Sequence, residues 1–180
     1  MRDQGKALRG FTLLEMMIVV ALIGVLAAIV VPSWTGTARN KKYDPEISAM
    51  FTELTTREEQ YKSELGNGSY LAITTACPSS PSPSGIDFNT TCVTSGSSWA
   101  TLRVIPTDST IRCSYKITAG AAGSTPSSYA PCAAPPTNRT LSGAWYWVLA
   151  TCDMKGDGGT NATFCISSWD TKQYNANYGL

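Results

Sequence analysis

The 180-residue sequence predicts an α+β fold, with a long amino-terminal helix packed on a roughly four-stranded antiparallel sheet and disulfide-stapled loops. An apolar run over residues 11–31 leads into a helical stripe that continues to residue 66. Short runs of alternating apolar and polar residues follow, which are typical of half-buried strands. All six cysteines lie after residue 76, and an even number at long spacings indicates disulfides formed in an oxidising compartment.

The apolar run predicts a transmembrane helix. From Phe11 to Val31 only Thr12 and Glu15 are polar, and a helix of 21 residues is about 30 Å long, the thickness of a bilayer hydrocarbon core. The cysteines place the carboxyl-terminal side in the oxidising compartment. Glu15 lies just inside the run, where a charge is costly. It could sit at the membrane interface, favoured by the positive end of the helix dipole, or be neutralised by a partner's positive charge.

The helix is predicted to continue beyond the span as an amphipathic half docked on the sheet. Its apolar side chains recur at helical spacing, at Tyr43, Ile47, Met50, Leu54, Tyr61 and Leu65. The opposite face carries charged side chains, at Glu53, Arg57, Glu58, Lys62 and Glu64. The sequence Gly66-Asn67-Gly68 then ends the helix, because glycine and asparagine favour the left-handed conformation of a helix terminus.

Four segments of the remaining chain are predicted as the strands of one antiparallel sheet. They cover residues 99–105, 111–117, 144–152 and 163–169. Alternation places Trp145 and Trp147 on the same face, as core residues. The chain after Trp169 is predicted to be a polar tail whose aromatic side chains lie on the surface.

The cysteines predict three disulfides, because no closely spaced pair of the kind that binds zinc is present. The candidates are Cys77, Cys92, Cys113, Cys132, Cys152 and Cys165. Six cysteines allow 15 pairings, and the sequence does not choose among them. We expect sequential pairing, 77–92, 113–132 and 152–165, because each bond then closes one loop or hairpin.

The composition disfavours an enzyme. The chain has no histidine, which excludes Ser-His-Asp and Cys-His sites, and no phosphate-binding loop, G-x-S-x-G motif or paired-carboxylate motif is present. A net charge of +1 gives no indication of nucleic-acid binding. The sequence predicts no cofactor other than calcium. Oxygen side chains of Asp153, Asp157 and Asn161 in a glycine-rich segment could surround that ion, or could form an ordinary Asp/Gly turn.

A motif at the start of the apolar run resembles the leader signature of type IV prepilins and type II secretion pseudopilins. It consists of Arg9-Gly10-Phe11-Thr12-Leu13-Leu14-Glu15 followed by further apolar residues. The resemblance implies that a prepilin peptidase cleaves after Gly10 and methylates the new amino terminus at Phe11. It also implies that Glu15 pairs with the Phe11 amine of a neighbouring subunit during assembly. A helix separates these two residues by about 6 Å axially, so a subunit shifted by a similar step brings the charges together.

Two helix-weakening residues within or just after the span also match the family. Gly24 and Pro32 both lower helix stability, which predicts a kink at the membrane exit. The resemblance adds that this stretch of a pilin helix can lose its regular hydrogen bonds in the filament. Both interpretations can hold together.

These observations divide the chain into a cleaved leader (1–10), a transmembrane and filament-core helix (11–31), an amphipathic helix (32–66) and a periplasmic or extracellular head (67–180). The resemblance implies a structural subunit of a type IV pilus serving adhesion, twitching motility or DNA uptake. The alternatives are a minor pilin, a type II secretion pseudopilin or a membrane-anchored surface binding module. The implied partners are other pilin subunits, the prepilin peptidase, the inner-membrane assembly platform and, before assembly, the inner membrane. The implied final location is an extracellular pilus.

Overall fold

A computed structural model describes residues 11–135 and 141–178, with backbone but not side chains described for residues 29–40. The predicted leader, including Gly10, therefore lies outside the described residues. The chain forms two compact units, Met1–Ala38 and Arg39–Leu180. One helix, α1 (Leu13–Glu64), contributes its first part to the amino-terminal unit and its last part to the other, which we call the head unit.

The described residues form one long helix, two short helices and seven strands. Their bounds are α1 Leu13–Glu64, β1 Ile73–Cys77, β2 Ile86–Asp87, α2 Phe88–Thr91, α3 Ser98–Leu102, β3 Thr110–Ile111, β4 Ser114–Gly120, β5 Trp145–Cys152, β6 Ala162–Ser167 and β7 Asp170–Ala176.

The head-unit part of α1 buries most of the predicted stripe. Tyr43, Ile47, Met50 and Leu54 are each at most 3% exposed, whereas Leu65 beyond the helix end is 58% exposed. The Gly66-Asn67-Gly68 segment follows that end directly. There the N–H groups of residues 66 and 68 donate to carbonyl oxygens of α1, and residues 67 and 68 have positive φ angles. The predicted helix terminus is confirmed.

The main sheet is antiparallel and has five strands in the order β1-β4-β5-β6-β7. Its register aligns Ile117 of β4 with Val148 of β5, and Val148 with Ile166 of β6. A second sheet pairs β2 with β3. The predicted antiparallel sheet is confirmed, but its four strands become five, because β1 and β7 were missed and one of the four predicted segments is not a strand. The segment after Trp169, predicted as a tail, forms β7.

The prediction of a strand over residues 99–105 is wrong, because most of this segment belongs to the helix α3. Ser97 caps this helix, since its hydroxyl oxygen accepts a hydrogen bond from the N–H of Ala100 at 3.1 Å. Trp99 and Leu102 are three residues apart and both buried, which fits one face of a helix. A short apolar run does not distinguish strand from helix, and here the cap decides the outcome.

The two faces of the main sheet are covered differently. One face, with Tyr115, Ile117, Val148 and Phe164, shares a single core with the buried stripe of α1. The other face has a smaller cluster, formed by Cys132, Trp145, Trp147 and Cys165 with the flanking side chains of Tyr129, Leu141, Leu149 and Trp169. The prediction that Trp145 and Trp147 are core residues on one face is confirmed. That face is turned away from the core shared with α1.

All six cysteines form disulfides, and two of the three expected pairings are wrong. Cys77 pairs with Cys92 as expected, but the other bonds are Cys113–Cys152 and Cys132–Cys165. Cys113 immediately precedes β4 and Cys152 ends β5, and these strands are neighbours in the sheet. Strand pairing brings these two cysteines together across 39 residues of sequence, which no local spacing indicates.

Candidate assembly surface

The first part of α1 exposes apolar side chains in every direction. Twelve large apolar side chains between residues 11 and 26 are 42–83% exposed. They are Phe11, Leu13, Leu14, Met16, Met17, Ile18, Val19, Val20, Leu22, Ile23, Val25 and Leu26. Burial of one such side chain is worth about 1.5–3 kcal/mol. A continuous apolar surface of this kind marks a site that another apolar surface covers.

Thr12 caps the beginning of α1. Its hydroxyl oxygen accepts a hydrogen bond from the N–H of Glu15 at 3.2 Å, and its carbonyl oxygen accepts one from Met16. Glu15 is therefore the third helical residue, in the first turn, where a carboxylate is stabilised by the helix dipole. The interpretation of the motif missed this role of Thr12, although a threonine three residues before a glutamate is a known helix-start pattern.

The structure places the other predicted assembly residues as follows. Phe11 directly precedes the cap and is 77% exposed, and Gly10 lies outside the described residues. Gly24 and Pro32 are both assigned to α1, which is helical from Leu13 to Glu64. The kink, like cleavage and methylation, stays a prediction. Among the residues that the structure describes, no helix combines the length and apolar character needed to cross a membrane.

In the head unit, Glu46 fastens α1 to the start of β4. Its Oε1 accepts hydrogen bonds from the N–H groups of Arg112 at 2.8 Å and Cys113 at 2.9 Å, and from the hydroxyl of Tyr115 at 3.2 Å. The guanidinium of Arg112 also lies 3.5 Å from Glu46 Oε2. Burial, with the nearby Glu46 carboxylate, raises the pKa of Tyr115 well above its usual value, so the tyrosine stays a neutral donor. No sequence pattern indicated this role of Glu46.

Two tyrosines make further ties between α1 and distant parts of the head. The hydroxyl of Tyr43 donates to the carbonyl oxygen of Asp153 at 2.9 Å. The hydroxyl of Tyr178 lies 2.9 and 3.0 Å from the carboxylate oxygens of Asp44. Both contacts hold segments near the carboxyl end of the chain on the helix.

The loop between β5 and β6 contains the residues considered for calcium. The two carboxylate oxygens of Asp153 accept hydrogen bonds from the N–H groups of Gly156 at 2.7 Å and Gly158 at 3.1 Å. The carboxylate of Asp157 accepts one from Gly159 at 2.8 Å. Asn161 follows in the loop, and its carbonyl oxygen lies 3.5 Å from a side-chain amide nitrogen. In the described ranges, no three His, Cys, Asp or Glu residues gather as metal ligands. Calcium binding stays a prediction, and both aspartates serve the turn.

Comparison with known proteins supports the interpretation of the amino-terminal motif. Residues 6–31 match the family model of the prokaryotic N-terminal methylation motif. The chain is 34% identical over 64 residues to the type IV wide pilus major component PilA4 of Thermus thermophilus, covering 36% of this chain and 47% of that protein. It is 52% identical over 50 residues to two fimbrial proteins of Pseudomonas aeruginosa, covering 26% of this chain and 32% of theirs.

These matches support the interpretation of the chain as a type IV pilin. The chain spans less than half the length of the curated relatives it matches. No solved structure matches the chain.

Proposed function

We propose that the protein is a structural subunit of a type IV pilus, assembled through the first part of α1 after removal of residues 1–10. The observation that carries the proposal is the continuous apolar surface of residues 11–26, which lies within the match to the N-terminal methylation motif over residues 6–31. In a filament, the same segments of neighbouring subunits cover one another and remove this surface from water. An enzyme site or a ligand pocket in the head would not account for this apolar surface, because residues 11–26 lie outside the head unit.

Before assembly, the precursor is held in the inner membrane by residues 11–31, with the head on the oxidising side. The support for this stage is the sequence itself, a 21-residue run in which only Thr12 and Glu15 are polar. The prepilin peptidase cleaves after Gly10 and methylates Phe11, and an assembly platform in the membrane transfers the subunit to the growing fibre. The mature protein is then extracellular.

Glu15 selects the axial register of the subunits in this proposal. The Thr12 cap holds Glu15 in the first turn of α1, one turn from the amino terminus that cleavage creates at Phe11. A neighbouring subunit shifted by about 6 Å brings its Phe11 amine to this carboxylate. In an apolar filament core the matched pair is favoured, and an unmatched Glu15 is penalised.

Glu15→Ala separates processing from assembly. We expect the variant to be cleaved normally but to form no filaments, as judged by the mass of the mature chain and by electron microscopy of sheared surface fibres. Glu64→Ala is the matched control, because it removes an exposed carboxylate near the other end of the same helix, and it should form filaments. Normal fibres from Glu15→Ala would contradict the register role.

The mass of the mature amino terminus tests the function itself. A chain beginning with methylated Phe11 and recovered in sheared fibres supports the pilus subunit. A mature chain that begins at Met1 contradicts it and favours the membrane-anchored binding module. Abundance in the fibres distinguishes a major from a minor pilin, whereas protein found only in the cell envelope, with loss of secretion on deletion, indicates a pseudopilin.

A further inference from the structure

Glu58 is a fully buried acidic residue on the face of α1 that the sequence predicts to be charged. Its Oε2 accepts a hydrogen bond from the N–H of Leu71 at 2.9 Å. Its Oε1 is buried and has no hydrogen-bond partner among the described residues. A buried carboxylate with one unsatisfied oxygen is costly when charged and much less costly when protonated.

The segment from Leu65 to Ala72, here called the connection, links α1 to β1 and lies against Glu58. Tyr70 in the connection makes several contacts with neighbouring elements. Its hydroxyl donates to Glu59 Oε1 at 2.7 Å and accepts a hydrogen bond from the ammonium group of Lys62 at 3.0 Å. Its ring packs edge-on against the ring of Tyr146 in β5, with centroids 4.6 Å apart. These contacts and the Leu71 N–H hold the connection on one turn of α1.

Titratable groups face Glu58 from each of the three surrounding elements. They are Glu59 on α1, Tyr70 in the connection and Tyr146 on β5, and Lys62 follows four residues further along α1. The ammonium group of Lys62 is engaged with Tyr70, and no ion pair to Glu58 is found in the part of the chain that the structure describes.

Glu58 is the group of this cluster that changes charge near neutral pH. Its pKa is raised to about 7, mainly by burial and to a smaller extent by the nearby Glu59, against the lowering effect of the Leu71 N–H. Burial also raises the pKa of Tyr146 to about 12 and moves the pKa of Tyr70 in the same direction. Both tyrosines therefore stay neutral while Glu58 titrates.

We propose that Glu58 is a pH-sensitive latch, whose neutral carboxyl group holds the connection closed on α1 and whose deprotonation loosens the connection. The connection is the least firmly held part of the cover, because its Tyr70 and Leu71 are only partly buried against the core, whereas α1 and β5 contribute fully buried side chains to it. The connection has no helix or strand, and Leu65 at its start is 58% exposed. It leads into β1 at the edge of the sheet, so opening frees the beginning of an edge strand.

The direction of the pH effect follows from proton binding. The closed form raises the pKa of Glu58 above its value of 4.5 in the open, hydrated form, so the closed form binds more protons. Closure is therefore fully stabilised below pH 4.5, and this stabilisation is lost as the pH rises through about 7. The latch operates in a single subunit and does not depend on polymerisation.

Hydrogen exchange of the full-length protein in detergent micelles tests the latch. The opening constant of residues 65–72 is measured by mass spectrometry against pH, with rates corrected for intrinsic exchange and β5 as internal reference. We expect the opening constant to rise at least about tenfold from about pH 5.5 to about pH 8.5, with β5 unchanged. Glu58→Gln should remove the pH dependence, because glutamine keeps an acceptor for Leu71 and cannot lose a proton. Glu64→Gln is the matched control, because it removes an exposed carboxylate of the same helix that does not contact Glu58 or Tyr70, and it should keep the dependence.

Three results would overturn the latch. They are an opening constant of the connection that does not change with pH, the same pH dependence in Glu58→Gln as in the wild type, or an equal change in β5. Should Glu58→Gln fail to fold, the wild-type curve still decides. A midpoint near pH 7 confined to residues 65–72 supports the latch, and a flat curve or one shared with β5 contradicts it.

Discussion

Leu22 and Leu54 lie in the same helix, but 61% of the surface of Leu22 is exposed whereas Leu54 is completely buried. The difference follows from what surrounds each residue in the sequence. Near Leu22 the apolar residues are consecutive and cover the whole circumference of α1, so no single surface of the same chain could cover them. Near Leu54 they form one stripe, which the sheet covers. One helix thus carries a surface for folding and a surface for association.

The largest effect on the stability of the folded head, to which Leu54 but not Leu22 belongs, is expected from loss of the Cys113–Cys152 bond. Both cysteines are fully buried in the head unit, and the bond closes 39 residues. Replacing both by serine should lower the free energy of unfolding of the head by about 4 kcal/mol, measured by denaturant titration without reductant. The matched change at Cys77–Cys92, which spans 15 residues, should cost about 1 kcal/mol less on the loop-entropy account. Equal losses from the two replacements would show that loop length does not determine how much each disulfide stabilises the head.

Alanine at the two leucines tests the comparison directly. Leu54→Ala removes a side chain from the core shared by α1 and the sheet and should destabilise the head by about 3 kcal/mol. Leu22→Ala should change the head's unfolding free energy by less than about 0.5 kcal/mol. We expect Leu22→Ala to reduce filament yield instead, as measured by the protein recovered in sheared fibres. A large effect of Leu22→Ala on head stability would show that the first part of α1 has a folding role.

The same contrast explains how much of the molecule could be predicted. Periodicity located the buried stripe of α1, because the side of a helix on which a residue lies depends only on its position along that helix. The Cys113–Cys152 pair could not be predicted, because strand order decides it. Glu58 was assigned to a charged face, yet the connection covers that part of the helix. A helical pattern identifies one face of a helix but does not show how far around it the rest of the chain reaches.

The functional residues of α1 also differ in how far the sequence predicts their roles. The motif over residues 9–15 identified Phe11 and Glu15 as assembly residues by resemblance, and their roles depend on a neighbouring subunit. The cap made by Thr12 is a local feature, and the spacing of three residues between Thr12 and Glu15 is the sequence signal for it. Glu46 accepts three hydrogen bonds from residues more than 60 positions away, and no short-range signal indicates such contacts.

A smaller effect is expected from the tie made by Glu46 at the head end of α1. Glu46→Ala leaves the N–H groups of Arg112 and Cys113 and the hydroxyl of Tyr115 without their acceptor. The expected loss in unfolding free energy is about 2 kcal/mol, measured by denaturant titration of the head. Glu64→Ala, which removes an exposed carboxylate of the same helix, should change stability by less than about 0.5 kcal/mol. Similar losses of unfolding free energy in both variants would show that the hydrogen bonds of Glu46 do not stabilise the head.

The smallest effect is expected at the tie between the end of the chain and α1. Tyr178→Phe removes the hydrogen bond to Asp44 but keeps the edge-on contact of the ring with Phe164, at 5.7 Å between centroids. The change should cost about 0.5–1 kcal/mol, because the bond is partly exposed to solvent.

The pH dependence of that difference identifies its source. Burial, and then the bond to the Asp44 carboxylate, raises the pKa of Tyr178 above its usual value of 10.0. The folded form therefore holds the phenolic proton more tightly, and the contribution of the bond is fully present below pH 10 and declines as the pH rises through the folded-state pKa. Denaturant titrations of wild type and Tyr178→Phe should thus differ by a constant amount from neutral pH to about pH 9 and converge above pH 10. A difference that disappears near neutral pH would place its origin at another group.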